Sequence, residues 1–420
     1  MHHFAYQNGR LAAENVDLTA LAAEIGTPFY CYSAAALRRH LRVMREAFAS
    51  TPTLIAYALK ANSNQAVLRV LAREGAGADV VSLGELERAL AAGFPPGMIV
   101  FSGVAKTEAE LRRGLAAGIR CFNIESEPEL ERLDRVAASL GKTAPVSVRV
   151  NPNVDAKTHE KISTGQAGSK FGVPFERALA VYDRIRALEH IRAVGVDMHI
   201  GSQITELSPF DNALTLLREL VATLRAAGHT IAHVDVGGGL GIPYAAGEAV
   251  PPDPVAYARL VLRHLAGLDF ELVIEPGRLI AGNAGILVTR VEYLKQGAER
   301  AFVIVDAGMN DLIRPTLYNA EHDIWPVDES RAAGTVFGDL VGPVCETGDY
   351  FARSRRLPEV RQGDLIAIMG AGAYGAVMAS TYNSRPLIAE VLVDGARMHV
   401  VRARQTLADL IGLDSVPDWL

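Results

Sequence analysis

Between residues 53 and 276 the chain alternates short apolar runs with longer amphipathic stretches. The apolar runs are "TLIAYALK" (53–60), "GADVVS" (77–82), "MIVFSG" (98–103), "IRCFNIES" (119–126), "PVSVRVNP" (145–152), "AVGVDMHIG" (193–201), "AHVDVGGG" (232–239) and "ELVIEPG" (271–277). Runs this short and continuously apolar read as strands buried on both faces. The stretches between them read as helices. In "SPFDNALTLLRELVATLRAAG", Phe210, Leu214, Leu217, Val221 and Leu224 recur at helical spacing on one face. Ser82, Thr107 and Ser126 each stand three residues before a glutamate, the spacing of a capping box.

Strand–helix alternation repeated eight times predicts an α/β fold, a closed (β/α)8 barrel, for which about 250 residues is typical. An open doubly wound sheet is the weaker alternative, because the glycine-rich turn comes only after the seventh strand. Beyond residue 280 the pattern changes to β-rich runs punctuated by Gly, Pro and Asp, such as "GTVFGDLVGPVCE" and "RPLIAEVLVDGARMHVVRA". The expected organisation is a barrel over 27–280 and a mostly β domain over 281–420, with residues 1–26 possible contributors to the latter.

Composition changes this picture little. The 420 residues are 49% hydrophobic and 21% charged, with a formal net charge of -6, an ordinary globular balance. No basic block points to nucleic acid or an anionic membrane. No apolar run approaches the roughly 20 residues of a spanning helix. The N-terminus lacks a basic segment followed by an apolar one, so a cytoplasmic location is expected. Three scattered cysteines, Cys31, Cys121 and Cys345, argue against a disulfide framework and leave one thiol available for chemistry.

Chemistry in such a barrel gathers at the C-terminal ends of the strands. Those ends offer Lys60, Asp79, Arg149, His199, the "GGG" of 237–239, and Glu275 with Gly277 and Arg278. Singly, each has a plain reading: Lys60 as a lysine paired with Asp79, His199 as a core histidine, "GGG" as a tight turn, Glu275 as a partner of Arg278. Together they suggest more. A desolvated lysine gives the neutral amine that a Schiff base needs. Successive glycine amides form an anion nest. A buried acid can keep a pyridine nitrogen protonated. A carbonyl compound that also carries a phosphate points to pyridoxal 5′-phosphate. Asp197 and His199 share a strand face, and Asp235 and Glu275 end neighbouring strands, so a metal-dependent site is an alternative; with a single histidine among these strand ends a zinc site is poorly supplied, and no metal is expected.

The motifs "YALKAN", "HIGSQ", "VDVGGGLGIPY", "EPGR", "CETGD" and "GAYG" resemble the pyridoxal-phosphate-dependent barrel (fold type III) decarboxylases, a group that includes the ornithine, arginine and diaminopimelate enzymes. "NPNVDAKTHEKISTGQAGSKFG" and "RPTLYNAEHDIWPV" are similar to the diaminopimelate branch. The resemblance implies decarboxylation of meso-2,6-diaminoheptanedioate to L-lysine, the last step of lysine synthesis. Another barrel decarboxylase, acting on ornithine, arginine or carboxynorspermidine, is the alternative. By the same resemblance Lys60 carries the cofactor, His199 stacks on its ring, and Glu275 faces its nitrogen. Ser202, Gly239, Gly277, Arg278 and Tyr374 surround its phosphate. Arg278, Arg314, Tyr318, Glu346 and Tyr374 hold the substrate, and Cys345 returns the proton. The "CETGD" loop of this family reaches a partner's site, which implies a homodimer. Taken alone, Arg314 and Tyr318 could simply be neighbours on one helical turn, and Cys345 a structural thiol.

Overall fold

The computed structural model describes residues 3–420 apart from Ala167, Glu248 and Ala333. It divides into two compact units, one of Arg38–Pro243 with Ala249–Ile280, the other of Met1–Leu37, Tyr244–Glu248 and Ala281–Leu420.

The first unit is the barrel. Its strands are β1 (Thr53–Ala58), β2 (Gly77–Val80), β3 (Ile99–Phe101), β4 (Cys121–Ile124), β5 (Ala144–Asn151), β6 (Ile191–Asp197), β7 (His233–Asp235) and β8 (Glu271–Ile274). Each pairs in parallel with the next, and β8 returns to β1 through Leu272–Thr53, Val273–Leu54 and Ile274–Ile55. The sheet is therefore closed, and the open doubly wound alternative is excluded. Leu54, Ala56, Val100, Cys121 and Val273 form a packed interior cluster. The helix Ser208–Ala226 buries Phe210, Leu214, Leu217, Val221 and Leu224, as its spacing predicts.

The expected strands all run too long at their C-terminal ends. Lys60 lies on a 3₁₀ turn, Leu59–Ala61, and His199 and Glu275 lie just past β6 and β8. The capping boxes also differ. Only Thr107–Glu110 is reciprocal. Ser82 and Ser126 accept the amides of Glu85 and Glu129, but those glutamates turn to the amides of Val81 and Glu125, one residue before the cap.

In the second unit, Gly285–Gln296 pairs with Ala301–Val305, Leu365–Ile368 and Phe29–Ser33, all antiparallel. Phe29–Ser33 also pairs in parallel with Ala389–Asp394. The segment through Leu37, which the sequence boundary at 27 assigns to the barrel, thus groups with the β unit. The five residues of Phe29–Ser33 are all buried, like a barrel strand, but their partners lie far along the chain. Phe4, Leu11, Leu18, Phe29, Ile286, Val288 and Val391 share one core there. Among the described residues no helix is long and apolar enough to cross a membrane.

Candidate active site

At the rim of the barrel, Lys60 Nζ lies 2.9 Å from Asp79 Oδ2. Asp79 is fully buried on β2, while the lysine side chain is 37% exposed. The amine is thus held at the mouth by a fixed carboxylate rather than sunk in an apolar wall.

His199 is set by the glycine turn after β7. Its Nδ1 accepts the Gly238 amide at 3.2 Å. Burial, with Arg149 and Lys60 nearby, holds the imidazole well below its usual protonation range, so the ring is neutral. The turn needs glycine. Gly237 has φ +65°, and a Cβ there would stand 2.7 Å from His199 Nδ1. A Cβ on Gly238 would meet Glu275 O at 2.2 Å, and one on Gly239 would meet Gly201 O at 2.4 Å.

Glu275 is buried beneath this turn, with Ser102 Oγ and Asn123 Nδ2 each 3.5 Å from its Oε1. Burial, then Asp235, Asp79 and Asp197, pushes its carboxyl well above the usual range, against the pull of Lys60. The Arg278 guanidinium donates to Ser202 Oγ at 3.0 Å. Gly277 packs closely, since a Cβ would come 3.0 Å from Ala61 Cβ. Arg149 is bonded at 2.9 Å to Glu125, with both side chains buried. Glu125 also accepts the amides of Gly103 and Gly172. The barrel therefore brings Lys60, His199, Ser202, Gly239, Glu275, Gly277 and Arg278 to one rim.

The other expected residues belong to the β unit. Arg314 is buried and donates to Tyr244 Oη at 2.6 Å, with its guanidinium carbon 4.2 Å from that ring's centroid. Tyr318 closes the same short helix, Arg314–Tyr318, which Asn319 ends in a left-handed conformation. Cys345 and Glu346 are exposed on the loop after Thr335–Val341. The Cys345 amide bonds to Asn383 Oδ1 at 3.0 Å. Buried Asp349 pins that loop through the amides of Met309 and Val344. Tyr374 has φ +55°, a left-handed backbone held in "GAYG". Cys31 and Cys121 are buried, and burial pushes both thiols up beyond useful acidity.

Residue patterns give Asp197 and Asp235 a part only as candidate ligands for a metal that is not expected, and assign none to Tyr244, Asp349 or Asn383. These last three act through partners that local pattern does not reach.

Residues 34–282 match the model of the pyridoxal-dependent decarboxylases, pyridoxal binding domain. The chain is 51% identical over 418 residues to a diaminopimelate decarboxylase of Vibrio cholerae, covering 99% of each chain. It is 52% identical over 416 residues to one of Pseudomonas aeruginosa, again covering 99% of each. It is similar to the crystal structure of diaminopimelate decarboxylase from M. jannaschii in co-complex with L-lysine, with a TM-score of 0.94 and 38% identity, covering 99% of this chain and 98% of that one. Taken with the closed barrel and the residues at its rim, these likenesses show that the chain belongs to the diaminopimelate decarboxylases, within the pyridoxal-dependent barrel decarboxylase family.

Proposed function

We propose that this chain removes one carboxylate from meso-2,6-diaminoheptanedioate to give L-lysine and carbon dioxide, in the cytoplasm, with pyridoxal 5′-phosphate held on Lys60. The observation that carries the reading is the set of groups at the barrel rim: a reachable amine, a neutral imidazole, a buried acid and a glycine turn. That set fits a phosphorylated pyridine aldehyde. The amine suits the aldehyde, the acid suits the ring nitrogen, and the backbone at Gly239 and Gly277 suits the phosphate, the amides of Gly237 and Gly238 being held by Asp235 and His199. The M. jannaschii relative was crystallised with L-lysine, the product expected here.

When bound, the cofactor supplies a protonated ring that accepts the electron pair of the breaking bond. The chain's own residues do the rest. Lys60 anchors the cofactor and releases the product. His199, uncharged, packs against the ring without competing for its proton. Glu275 holds the proton at the ring nitrogen. Gly239, Gly277, Ser202, Arg278 and Tyr374 bind the phosphate. Arg278, Arg314, Tyr318, Glu346 and Tyr374 grip the amino-acid end that is not cleaved, whose charges call for both cationic and anionic partners. Cys345 delivers a proton to the α-carbon. Its exposure supports delivery to a second copy of the chain, and hence a homodimer.

The test is a visible spectrum of the purified protein before and after borohydride, followed by carbon dioxide release from meso-2,6-diaminoheptanedioate, ornithine, arginine and carboxynorspermidine. Turnover of the first alone is expected, with loss in Arg314→Ala and no gain on the others. A colourless protein when pyridoxal 5′-phosphate is added, or preference for ornithine, overturns the reading.

A further inference from the structure

Behind Glu275 the barrel holds two more acids. Asp197 ends β6 and Asp235 ends β7, and the two are direct partners in the parallel ladder. Oxygens of Asp197, Asp235 and Glu275 lie within 4.8 Å of one another. Asp197 is 1% exposed, Asp235 0% and Glu275 6%. Asp235 Oδ1 accepts the Gly237 amide at 2.8 Å. Asp235 Oδ2 and Asp197 Oδ1 are buried without a hydrogen-bond partner.

The nearby cations are committed elsewhere. Lys60 pairs with Asp79, Arg149 with Glu125, and Arg120 with Glu271 at 2.6 Å. Among the described residues none of the three carboxyls forms an ion pair, although Arg149 pulls Asp197 down and Lys60 pulls Glu275 down against burial. Buried carboxylates this close do not all ionise. Two protons shared among the three leave one negative charge, the number that one pyridinium requires.

We infer that Asp197 and Asp235 are positioning residues that act as neutral carboxyls, so that the single charge of the trio falls on Glu275 when a protonated ring nitrogen stands opposite it. The inference rests on the part given to Glu275 above. A neutral Asp235 lowers the basicity of Glu275 and leaves the proton on the ring, whereas an ionised one would draw it onto Glu275.

The electrostatics of the trio points the same way. Burial, and then Asp235, pushes Asp197 well above the usual carboxylate range, against the pull of Arg149 and with Glu125 and Asp79 reinforcing. Burial lifts Asp235 from 3.8 to about 7, opposed by the Gly237 amide and reinforced by Asp79, with Glu275 and Arg120 pulling it back. Cys121 and Tyr257, which also face Asp235, are buried acids whose ionisation it opposes.

Asp235 keeps its proton in the folded chain up to pH about 7, while the unfolded chain loses it near 4. In that window the folded state binds more protons, so this group makes stability fall as pH rises. The full-length chain freed of cofactor is compared with Asp235→Asn from pH 4.5 to 7.5. The wild-type melting temperature should fall by about 3–5 °C relative to the variant across that range. Parallel profiles overturn the inference. Should Asp235→Asn fail to fold, the wild-type holoenzyme decides. Its infrared spectrum in heavy water at pH 7 should hold a protonated-carboxyl band, reduced in Asp197→Asn, and absence of that band also overturns the inference. Glu275→Gln separates the two readings. Wild-type cofactor affinity in that variant would refute the part given to Glu275, while the apo profiles judge the protons of the trio independently.

Discussion

The Lys60 ammonium and the Asp79 carboxylate lie 2.9 Å apart, and only the lysine is reached by solvent. A fully buried aspartate on β2 thus fixes a flexible four-carbon chain at the rim and restricts where its amine can react. Lys60→Ala should leave turnover at the assay floor, with no cofactor retained after borohydride by mass spectrometry. Asp79→Asn keeps the shape but removes the counter-ion. It should retain the covalent cofactor yet bind it roughly tenfold more weakly, about 1.4 kcal/mol, by equilibrium dialysis.

Gly237 separates two effects that a single glycine substitution usually mixes. Its φ of +65° costs any L side chain about 1–2 kcal/mol, and its missing Cβ also leaves the space beside His199 Nδ1. Gly267 has φ +77° with nothing within 4 Å, so it shares only the backbone cost. Gly267→Ala should lower the melting temperature slightly and leave cofactor affinity intact. Gly237→Ala should lower both, with affinity falling at least about tenfold because His199 and the amide of Gly238 move together. Equal affinities in the two variants would show that the close approach to His199 carries no weight.

The barrel was legible because each strand is a short apolar run closed by Gly, Pro or a polar residue. The ends were not. Lys60, His199 and Glu275 follow directly on apolar runs but lie past the strand ends, where the ladder has stopped. A hydropathy pattern records burial, and these residues are buried or partly buried without being strand. Phe29–Ser33 shows the opposite failure. Its pattern suits a barrel strand, and only its pairing with Gly285–Gln296 assigns it to the β unit. The family motifs pointed to Lys60, His199 and Glu275 residue by residue. That Asp235 and Glu275 end neighbouring strands was legible too, while the close approach of Asp197 to both depends on ladder register around a closed sheet.

Lys106 and Glu129 form an ion pair at 2.6 Å with side chains 1% and 5% exposed. The ammonium also donates to the carbonyls of Gly103 and Asn123, so all three of its protons are used. Removing one buried partner costs about 3–5 kcal/mol, because the other charge is left without compensation. Lys106→Met keeps the aliphatic stem and should lose that amount in urea unfolding. The double variant Lys106→Met/Glu129→Gln should recover part of it, although the two carbonyls still lack a donor. Additive losses in the double-mutant cycle would mean that the pair is not coupled.

His233 gives the barrel an acid-sensitive interior. It is buried beside Cys121, with Nε2 3.9 Å from that sulfur, and it fills space that a Cβ on Gly195 would occupy, 2.2 Å from the same nitrogen. Burial, and then Arg120, lowers its pKa from 6.5 to about 4. Between those values the unfolded chain holds a proton on this ring that the folded chain does not. Its contribution is therefore complete above pH 6.5 and is lost as pH falls toward 4, by about 3 kcal/mol. His233→Gln is uncharged throughout and should flatten this limb. Urea unfolding at pH 4.5, 5.5 and 7 should show the gap between wild type and variant narrowing toward acid, in favour of the variant. Asp235 acts in the opposite direction over nearly the same window, so only the difference from each variant isolates its group. A wild-type-to-variant gap that is constant with pH would mean that His233 takes up its proton in the folded barrel as readily as in the unfolded chain.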